Sequence, residues 1–248
     1  MAQTASRQER VRAGTLAEIR ATARRLLLQG GHPAVTISAV AREMGMTGPA
    51  VYRYYASHEA LVDALTADCY DELVQVLLLA RDAAQATPAA RLLALSRALR
   101  AWAVAHPAEF GLMFASPIPG AQGRPAGSPA HLASQRFGLV FLDQVAEIWH
   151  VQGFHTRRLA DLPASLAVQL RDYSVRIGKR LPPKAARVFL SCWIRLYGLV
   201  SMEVTRQLDF AYSDLEPVFE ECLQDLCAML GLPYEPPETA AKIGRAAR

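Results

Sequence analysis

Asparagine is absent from the 248 residues of this chain, and lysine accounts for only three of its 27 basic residues. Without asparagine, the side chain that usually reads adenine in a major groove is missing, so any base contact has to come from other residues. The four cysteines, at positions 69, 192, 222 and 227, form no CxxC pair and no zinc-finger spacing. We therefore expect buried free thiols, no metal site and no cofactor.

Several functional patterns are also missing. The N-terminus has no signal-peptide pattern, no apolar run reaches the length of a membrane span, and no alternating strand pattern or internal repeat occurs. Nucleophile elbows, paired carboxylates on one helix face and P-loops are absent as well. These absences argue against an enzyme with catalytic residues and against a membrane partner, and we expect a cytoplasmic protein.

Positive charge is concentrated near the N-terminus. Residues 1–60 contain eight arginines and four acidic residues, whereas residues 61–248 contain 19 basic and 19 acidic residues. A phosphate backbone attracts a basic surface without reading base sequence, so this asymmetry favours a nucleic-acid partner. A solvated basic surface without a partner would give the same distribution of charge.

The stretch from Thr36 to Tyr55 predicts two short helices joined by a tight turn. Thr36 is a suitable N-cap, and Gly45 occupies a position where a helix commonly ends in a left-handed residue. Val51 would pack into the angle between the helices, which is typical of a helix-turn-helix. The buried face of the first helix is expected to comprise Ile37, Val40, Ala41 and Met44. An ordinary helical hairpin is the alternative.

Amphipathic helical patterns fill the rest of the chain, so we predict an all-α protein. The N-terminal three-helix domain would span residues 1–60, with a flexible arm at 1–13. A larger helical domain would span residues 61–231 and be followed by a loose tail at 232–248. A long helix from Ser57 to about Ala86, with no proline or glycine to interrupt it, would join the two domains.

The segment from Lys184 to Gln207 is apolar on nearly all sides, and the final helix carries an apolar stripe. A helix without a polar face has to be buried on more than one side, which a four-helix bundle between two subunits would achieve. The core of a monomer would bury the same side chains. On the first interpretation, the dimer interface comprises Phe189, Cys192, Leu196, Leu199, Val200, Phe219, Cys222 and Leu226.

Residues Val35–Leu65, VTISAVAREMGMTGPAVYRYYASHEALVDAL, resemble the DNA-binding signature of TetR-family transcriptional regulators. A capped helix, an AxxxG turn, a tyrosine-x-aromatic-aromatic run and a Ser-x-Glu-Ala-Leu helix start carry this resemblance. Further along, the sequences HPAEF at 106–110 and WIRLYG at 193–198 are similar to the WHG-type C-terminal domain, with Tyr197 in place of the motif histidine.

The resemblance implies a homodimer whose N-terminal domains read a palindromic site in double-stranded DNA and whose larger domain binds a small molecule and dimerises. We expect a repressor that an apolar or aromatic ligand releases. Positions that match phosphate contacts in the family are Thr36, Thr47, Tyr52, Tyr54 and His58, the last in place of a lysine. Positions that match base contacts are Gly48, Pro49, Ala50 and Arg53. Independently of the resemblance, Arg53 could donate to both O6 and N7 of a guanine.

Aromatic side chains of the larger domain are the candidates for lining a ligand pocket. They are Trp102, His106, Phe110, Phe114, Trp149, Trp193 and Tyr197. Two alternatives remain open at this point. One is an architectural DNA-binding protein that responds to no effector; the other is a regulator that senses a metal, through His150, His155 and Asp161 or cysteines, or a change in redox state.

Overall fold

The structure, a computed structural model, describes residues 6–115 and 126–237. Within these ranges the chain is helical and contains no strand, so the all-α prediction is confirmed. The α-helices are α1 (Arg7–Gly30), α2 (Ile37–Glu43), α3 (Gly48–Tyr52), α4 (His58–Ala83), α5 (Pro88–Ala105), α6 (Pro107–Phe110), α7 (Pro129–Val151), α8 (Ala164–Arg176), α9 (Pro183–Val204) and α10 (Glu216–Met229). Single turns of 3-10 helix occur at His32–Ala34 and Leu159–Asp161, and a π-helical turn, Gly111–Ala115, follows α6.

The chain packs as two compact units. The first contains the residues up to Glu72 together with His106–Arg136, and the second contains Leu73–Ala105 and the residues from Phe137 onward. Each unit is built from segments that are distant in sequence, and α4 and α7 contribute residues to both. The predicted domains, 1–60 and 61–231, are instead continuous in sequence, and their boundaries remain predictions.

In the first unit, α1 packs against α2 and α6, and α2 packs against α3. The apolar face of α1 buries Ile19, Ala23 and Leu27, while Val40 and Val51 are fully buried on the two helices of the turn. Through these contacts α2 packs on α1, and α3 packs on α2. The first unit therefore has the three-helix arrangement expected of the N-terminal domain.

The flexible arm predicted for residues 1–13 is wrong from residue 7 onward, because α1 begins at Arg7. Ser6 and Glu9 form a capping box, in which the Ser6 hydroxyl accepts a hydrogen bond from the Glu9 amide and the Glu9 carboxylate accepts one from the Ser6 amide. This cap and the good helix formers that follow it extend the helix through a polar segment. Residues 1–5 lie outside the described ranges.

In the second unit, α9 packs against α5, α8 and α10. Seven residues of α9 are buried within the chain, whereas Ile194 and Met202 are exposed. By length and composition alone α9 could cross a membrane, but a core helix of a globular protein meets the same criteria. The prediction that its apolar residues face a second subunit is corrected accordingly: Phe189, Cys192, Leu196, Val200, Phe219 and Leu226 are buried within the single chain, and only Leu199 and Cys222 are partly exposed.

The tail that was predicted to be loose is held in place over its first residues. Leu232 is buried, the Tyr234 hydroxyl donates to Glu220 over 2.8 Å, and the Arg97 guanidinium donates to the backbone carbonyl of Glu235 over 2.7 Å. The tail therefore packs on the second unit as far as Glu235. Residues 238–248 lie outside the described ranges.

Candidate functional site

The turn between α2 and α3 has the geometry that its sequence predicts. The Thr36 hydroxyl accepts a hydrogen bond from the Ala39 amide over 3.1 Å and so caps α2. Gly45 adopts a φ of 63°, and the Met46 amide donates to the carbonyl of Ala41 over 2.8 Å. This is the hydrogen-bond pattern of a helix end closed by a left-handed residue. The helix-turn-helix prediction is confirmed.

The second helix of this motif, α3, is a short helix that presents polar groups to solvent. Tyr52 is 50% exposed, and Arg53, which follows the last helical residue as its C-cap, is exposed as well. Thr47 precedes the helix at the N-cap position, but its hydroxyl makes no capping hydrogen bond, so it is available to another acceptor or donor. A Cβ atom added at Gly48 would meet no heavy atom within 4 Å, so the chain itself does not require glycine there.

None of the nine residues predicted to contact DNA is buried. Thr36, Thr47, Pro49, Tyr52 and Arg53 are exposed, and Gly48, Ala50, Tyr54 and His58 are partly exposed. Within residues 6–115 and 126–237, the Arg53 side chain has no ion pair with an acidic residue. The Arg53 guanidinium therefore remains available for an external acceptor.

His58 is less available than the sequence suggests. Its Nε2 atom lies 2.5 Å from the backbone carbonyl of Val35 and donates a hydrogen bond to it, and its ring lies 6.3 Å from that of His32. Only Nδ1 is then left for a phosphate, and it can donate only when the imidazole is protonated. The predicted phosphate contact of His58 thus depends on its protonation state.

Two arginines of α1 hold the end of α3, and sequence reasoning did not find them. Arg12 donates to the carbonyl of Arg53 over 3.4 Å, and its Cζ atom lies 5.3 Å from the centroid of the Tyr54 ring. Arg20 donates to the Tyr55 hydroxyl over 3.2 Å. The partners are 35 or more positions apart in the sequence, so no local spacing could have indicated these contacts.

A third arginine of α1, Arg24, forms the centre of an ionic cluster in the first unit. It donates to both carboxylate oxygens of Glu72 on α4, over 2.5 and 3.2 Å, and to Glu109 on α6 over 3.0 Å. The hydrogen bond to Glu72 is the largest cause that raises the pKa of Arg24 above its ordinary value. The arginine therefore stays cationic and ties α1 to both α4 and α6.

The predicted pocket residues fall into separate groups. Phe110 and Phe114 lie 4.8 Å apart, ring to ring, in the first unit, where His106 is 4.0 Å from Glu72. In the second unit, Trp193 stacks on Tyr197 at 5.6 Å, while Trp149 contacts the Phe154 ring at 4.9 Å and Trp102 is buried. Aromatic character alone did not separate pocket residues from core residues.

The second unit contains a small apolar cavity of about 20 Å³. This volume is close to that of one water-sized probe. Of the predicted pocket residues, only Trp193 lines it, and four residues predicted for the dimer interface line it instead. Its lining comprises Leu92, Ser96, Phe141, Val145, Phe189, Cys192, Trp193, Leu196, Leu226 and Leu230.

The cysteines show no sign of metal or redox chemistry in the described part of the chain. Burial raises the pKa of both Cys69 and Cys192 to about 12, which keeps these thiols protonated at neutral pH. Among residues 6–115 and 126–237, no group of three histidine, cysteine, aspartate or glutamate side chains is placed to hold a metal ion. The metal-sensing and redox-sensing alternatives therefore gain no support.

Comparisons with known proteins agree with this geometry. Residues 19–65 match the family model described as "Bacterial regulatory proteins, tetR family", and residues 92–226 match the model described as "Tetracyclin repressor-like, C-terminal domain". The HTH-type transcriptional regulator Rv1816 of Mycobacterium tuberculosis is 33% identical over 192 residues, which cover 74% of this chain and 78% of that protein. Its counterpart Mb1846 of Mycobacterium bovis matches to the same extent.

Solved structures show the same architecture. The regulatory protein SCO4313 is 29% identical, with a TM-score of 0.69, and the match covers 90% of this chain and 98% of that one. A protein with unknown function from Rhodococcus is 20% identical, with a TM-score of 0.62 over 85% of this chain and 94% of that one, and supports the fold alone. The chain belongs to the TetR family of bacterial transcriptional regulators, and it is a DNA-binding regulator.

Proposed function

We propose that this regulator is a repressor that binds a palindromic operator as a homodimer and leaves it when a small apolar molecule binds. The observation that carries this proposal is the exposed Arg53 at the end of α3, which Arg12 holds through the Arg53 backbone carbonyl. A fixed backbone and a free guanidinium suit a side chain that reads a base edge.

Phosphate contacts would surround that base contact. The exposed hydroxyls of Thr36, Thr47 and Tyr52 can donate to phosphate oxygens. The open space at Gly48 allows the backbone to approach the duplex, and Pro49 and Ala50 would lie beside the bases. In this proposal the arginines of α1 supply further positive charge, which attracts DNA of any sequence.

The exposed face of α9 supports the homodimer. Ile194 is 68% exposed and Met202 is partly exposed, at positions eight residues apart on one helix face. Between them lies Gly198, where an added Cβ atom would meet nothing within 4 Å, so a second helix could approach closely. Two copies joined there would present two α3 helices to half-sites about one turn of DNA apart, roughly 34 Å. This face replaces the buried residues first assigned to the interface.

The cavity of the second unit supports an apolar effector, since its lining is almost entirely apolar. At about 20 Å³ it holds no ligand of ordinary size, so binding would require the surrounding helices to separate. A ligand that prefers the opened form would shift the population away from the DNA-binding form, and a complete switch needs roughly 5.5 kcal/mol of differential affinity. Because α4 contributes residues to both units, it would carry this change to the DNA-binding unit. In this proposal the switch operates in the bacterial cytoplasm.

The proposal is tested by selecting genomic DNA fragments with the purified protein and then measuring the affinity of variants for the selected operator. Arg53→Ala should lose the preference for the operator over unrelated duplex. Arg42→Ala removes an exposed arginine from α2 and should weaken binding to the operator and to unrelated duplex by the same factor. Unchanged operator preference in Arg53→Ala would show that Arg53 does not read a base.

A repressor and an architectural protein differ in their response to ligands. For a repressor, a hydrophobic extract of the native cells should lower operator affinity, and transcription from the selected promoter should rise when the gene is deleted. Operator affinity that no extract changes would favour the architectural alternative, and transcription that falls on deletion would make the protein an activator.

A further inference from the structure

One segment of the second unit is strongly basic. Residues 155–187 contain eight arginines and lysines but only two acidic residues, Asp161 and Asp172. The rest of residues 61–248 contains 11 basic and 17 acidic residues, so the balanced charge of this region conceals the basic segment. The nine residues proposed to contact DNA belong to the first unit, and their role does not explain this second concentration of positive charge.

The fold gathers most of these cations around the turn between α8 and α9. Residues 177–182 form this turn, and the Ser174 hydroxyl donates to the backbone carbonyl of Leu181 across it, over 2.7 Å. The two helices pack against each other on either side of the turn. Five cations lie between the last residue of α8 and the second turn of α9: Arg176, Lys179, Arg180, Lys184 and Arg187.

The segment that precedes α8 brings two further arginines to the same end of the unit. The Nζ atom of Lys184 lies 5.3 Å from the centroid of the Trp149 ring, and that ring contacts the Phe154 ring at 4.9 Å. Arg157 and Arg158 follow Phe154 within four residues, and the 3-10 turn after them packs on α8. The segment and the α8–α9 turn therefore form one basic surface.

Most of the positive charge on this surface is not neutralised. Arg158 pairs with Asp161 at 3.1 Å, and Arg180 pairs with Asp143 of α7 at 3.0 Å. Like charges on one surface repel one another, so an anionic partner would stabilise it. Six cations have no ion pair within residues 6–115 and 126–237, and all are exposed except Arg187, which is partly exposed: Arg157, Arg171, Arg176, Lys179, Lys184 and Arg187.

The composition of this surface favours duplex DNA over other polyanions. Four of the six unpaired cations are arginines, whose planar guanidinium group matches phosphate oxygens. The exposed large apolar side chains of residues 155–187 are Val168 and Val175, whereas a membrane-surface helix carries tryptophan, phenylalanine or leucine. An acidic protein partner would favour an apolar centre as well. Duplex DNA requires only cations that reach its phosphates, and this chain is a DNA-binding regulator.

We propose that the α8–α9 end of the second unit is a second DNA-binding surface, which holds duplex DNA through its phosphates and reads no base sequence. The exposed arginines and lysines donate to phosphate oxygens and release counterions from the duplex. This surface raises the affinity of the regulator for any duplex. It acts without Arg53, so it does not rest on the proposed reading of an operator.

The test measures binding of a labelled duplex of unrelated sequence to the full-length protein. Arg42→Ala and Arg53→Ala are combined as the background, which weakens binding through the helix-turn-helix. Adding Arg176→Gln, Lys179→Gln and Arg187→Gln removes three cations from the basic surface. Fluorescence anisotropy should show affinity at low salt falling at least about tenfold, and the slope of log affinity against log salt becoming shallower by about 2.7, since each phosphate contact contributes roughly 0.9.

A matched control removes the same charge from other parts of the second unit. Arg81→Gln, Arg91→Gln and Arg206→Gln together neutralise three arginines that each pair with a carboxylate. This control should keep the slope of the background protein. Equal slopes for the basic-surface variant and the control would overturn the proposal.

A second variant protects the test against misfolding. Far-UV circular dichroism checks that the triple basic-surface variant is folded. If it is not, Arg157→Gln combined with Arg171→Gln takes its place, because both side chains are exposed and neither has an ion pair with another described residue. That pair should make the slope shallower by about 1.8, and a slope equal to that of the background protein would refute the surface.

Two other anionic partners are tested directly as competitors. Unlabelled duplex should displace the labelled duplex at a charge concentration at least about tenfold lower than polyglutamate, because duplex DNA has the denser charge. Equal competition by polyglutamate would assign the surface to an acidic protein. Binding to vesicles of phosphatidylglycerol and phosphatidylcholine that depends on these cations, while duplex binding does not, would assign it to a membrane. Either result would overturn the proposal.

Operator preference separates this inference from the proposed function. In protein with Arg42 and Arg53 intact, the triple basic-surface variant should keep the ratio of operator affinity to unrelated-duplex affinity. If that ratio depends on Arg53 but the basic surface does not affect the salt slope, the inference falls alone. If the slope depends on the basic surface but no operator is preferred, the proposed function falls and the second surface stands.

Discussion

The guanidinium of Arg12 lies over the ring of Tyr54, with its Cζ atom 5.3 Å from the ring centroid, and donates to the backbone carbonyl of the preceding residue, Arg53. One side chain of α1 thus holds two consecutive residues at the end of α3. Both were predicted to contact DNA. The position of Arg53, the side chain that we propose reads a base, is therefore set from outside the helix-turn-helix, by a residue in a segment that the sequence indicated to be a flexible arm.

Replacing Arg12 by methionine should weaken DNA binding beyond the loss of one positive charge. The ring contact and the hydrogen bond together position Arg53, and an exposed cation–π contact contributes about 0.5–1 kcal/mol, or roughly two- to fivefold in affinity. Arg7→Met is the control, because it removes the same charge from the exposed start of the same helix. Fluorescence anisotropy with operator DNA should show Arg12→Met binding more weakly than Arg7→Met, and equal affinities would contradict the positioning role.

Two glycines of the motif should respond differently to substitution by alanine. Gly45 has a φ of 63°, so alanine there should cost about 1 kcal/mol of folding stability through backbone strain. Gly48 has no positive φ, and its Cβ position is open, so alanine should leave the stability unchanged or slightly higher. Urea denaturation measures both. If the backbone at Gly48 approaches DNA, Gly48→Ala should nevertheless lose operator affinity, and wild-type affinity would place the duplex elsewhere.

Local chemistry in the sequence predicted most of the helix-turn-helix. The threonine cap at Thr36, the left-handed Gly45 and the buried Val51 are short-range features, since each depends on residues only a few positions away. The helical character of the other elements, and their order along the chain, followed from the spacing of apolar residues in the sequence. The capping box at Ser6 was also readable from the sequence, as serine followed three positions later by glutamate, but the polar composition of the segment outweighed it in the prediction.

Contacts between distant segments could not be predicted in the same way. The ties from Arg12 to Arg53 and from Arg24 to Glu109 join residues 41 and 85 positions apart, and any of the many arginines could have made them. Apolar periodicity also shows that a face of α9 is buried but not which surface buries it. Phe189 and Leu196 were predicted to lie between subunits for this reason, but they line a cavity within one chain.

The Glu220 carboxylate should make stability depend on acid pH. Burial raises the pKa of Glu220, but hydrogen bonds from Arg97 and Tyr234 lower it by more, so the pKa lies below its ordinary value of 4.5. A carboxylate with a lowered pKa in the folded state contributes stability above its unfolded pKa and loses that contribution as the pH falls through the folded pKa. The free energy of unfolding should therefore fall more steeply in the wild type than in Glu220→Gln between about pH 6 and pH 3. Urea denaturation across that range measures how the free energy of unfolding changes with pH. The control variant Glu221→Gln should show the same slope as the wild type. Equal slopes for the wild type and Glu220→Gln would refute the role of the Glu220–Arg97 pair.

The exposed face of α9 should determine the oligomeric state. Ile194 is 68% exposed on this helix. Val175 is 63% exposed on α8, so it is a control with similar exposure on a different helix. Aspartate at Ile194 would place a charge in the proposed interface, where desolvation without a partner typically costs several kcal/mol. Sedimentation velocity at micromolar concentration should show a dimer for the wild type and for Val175→Asp, and a monomer for Ile194→Asp. If Val175→Asp alone dissociates the dimer, the interface lies on α8, and if the wild type is itself a monomer, the proposed homodimer does not exist in solution.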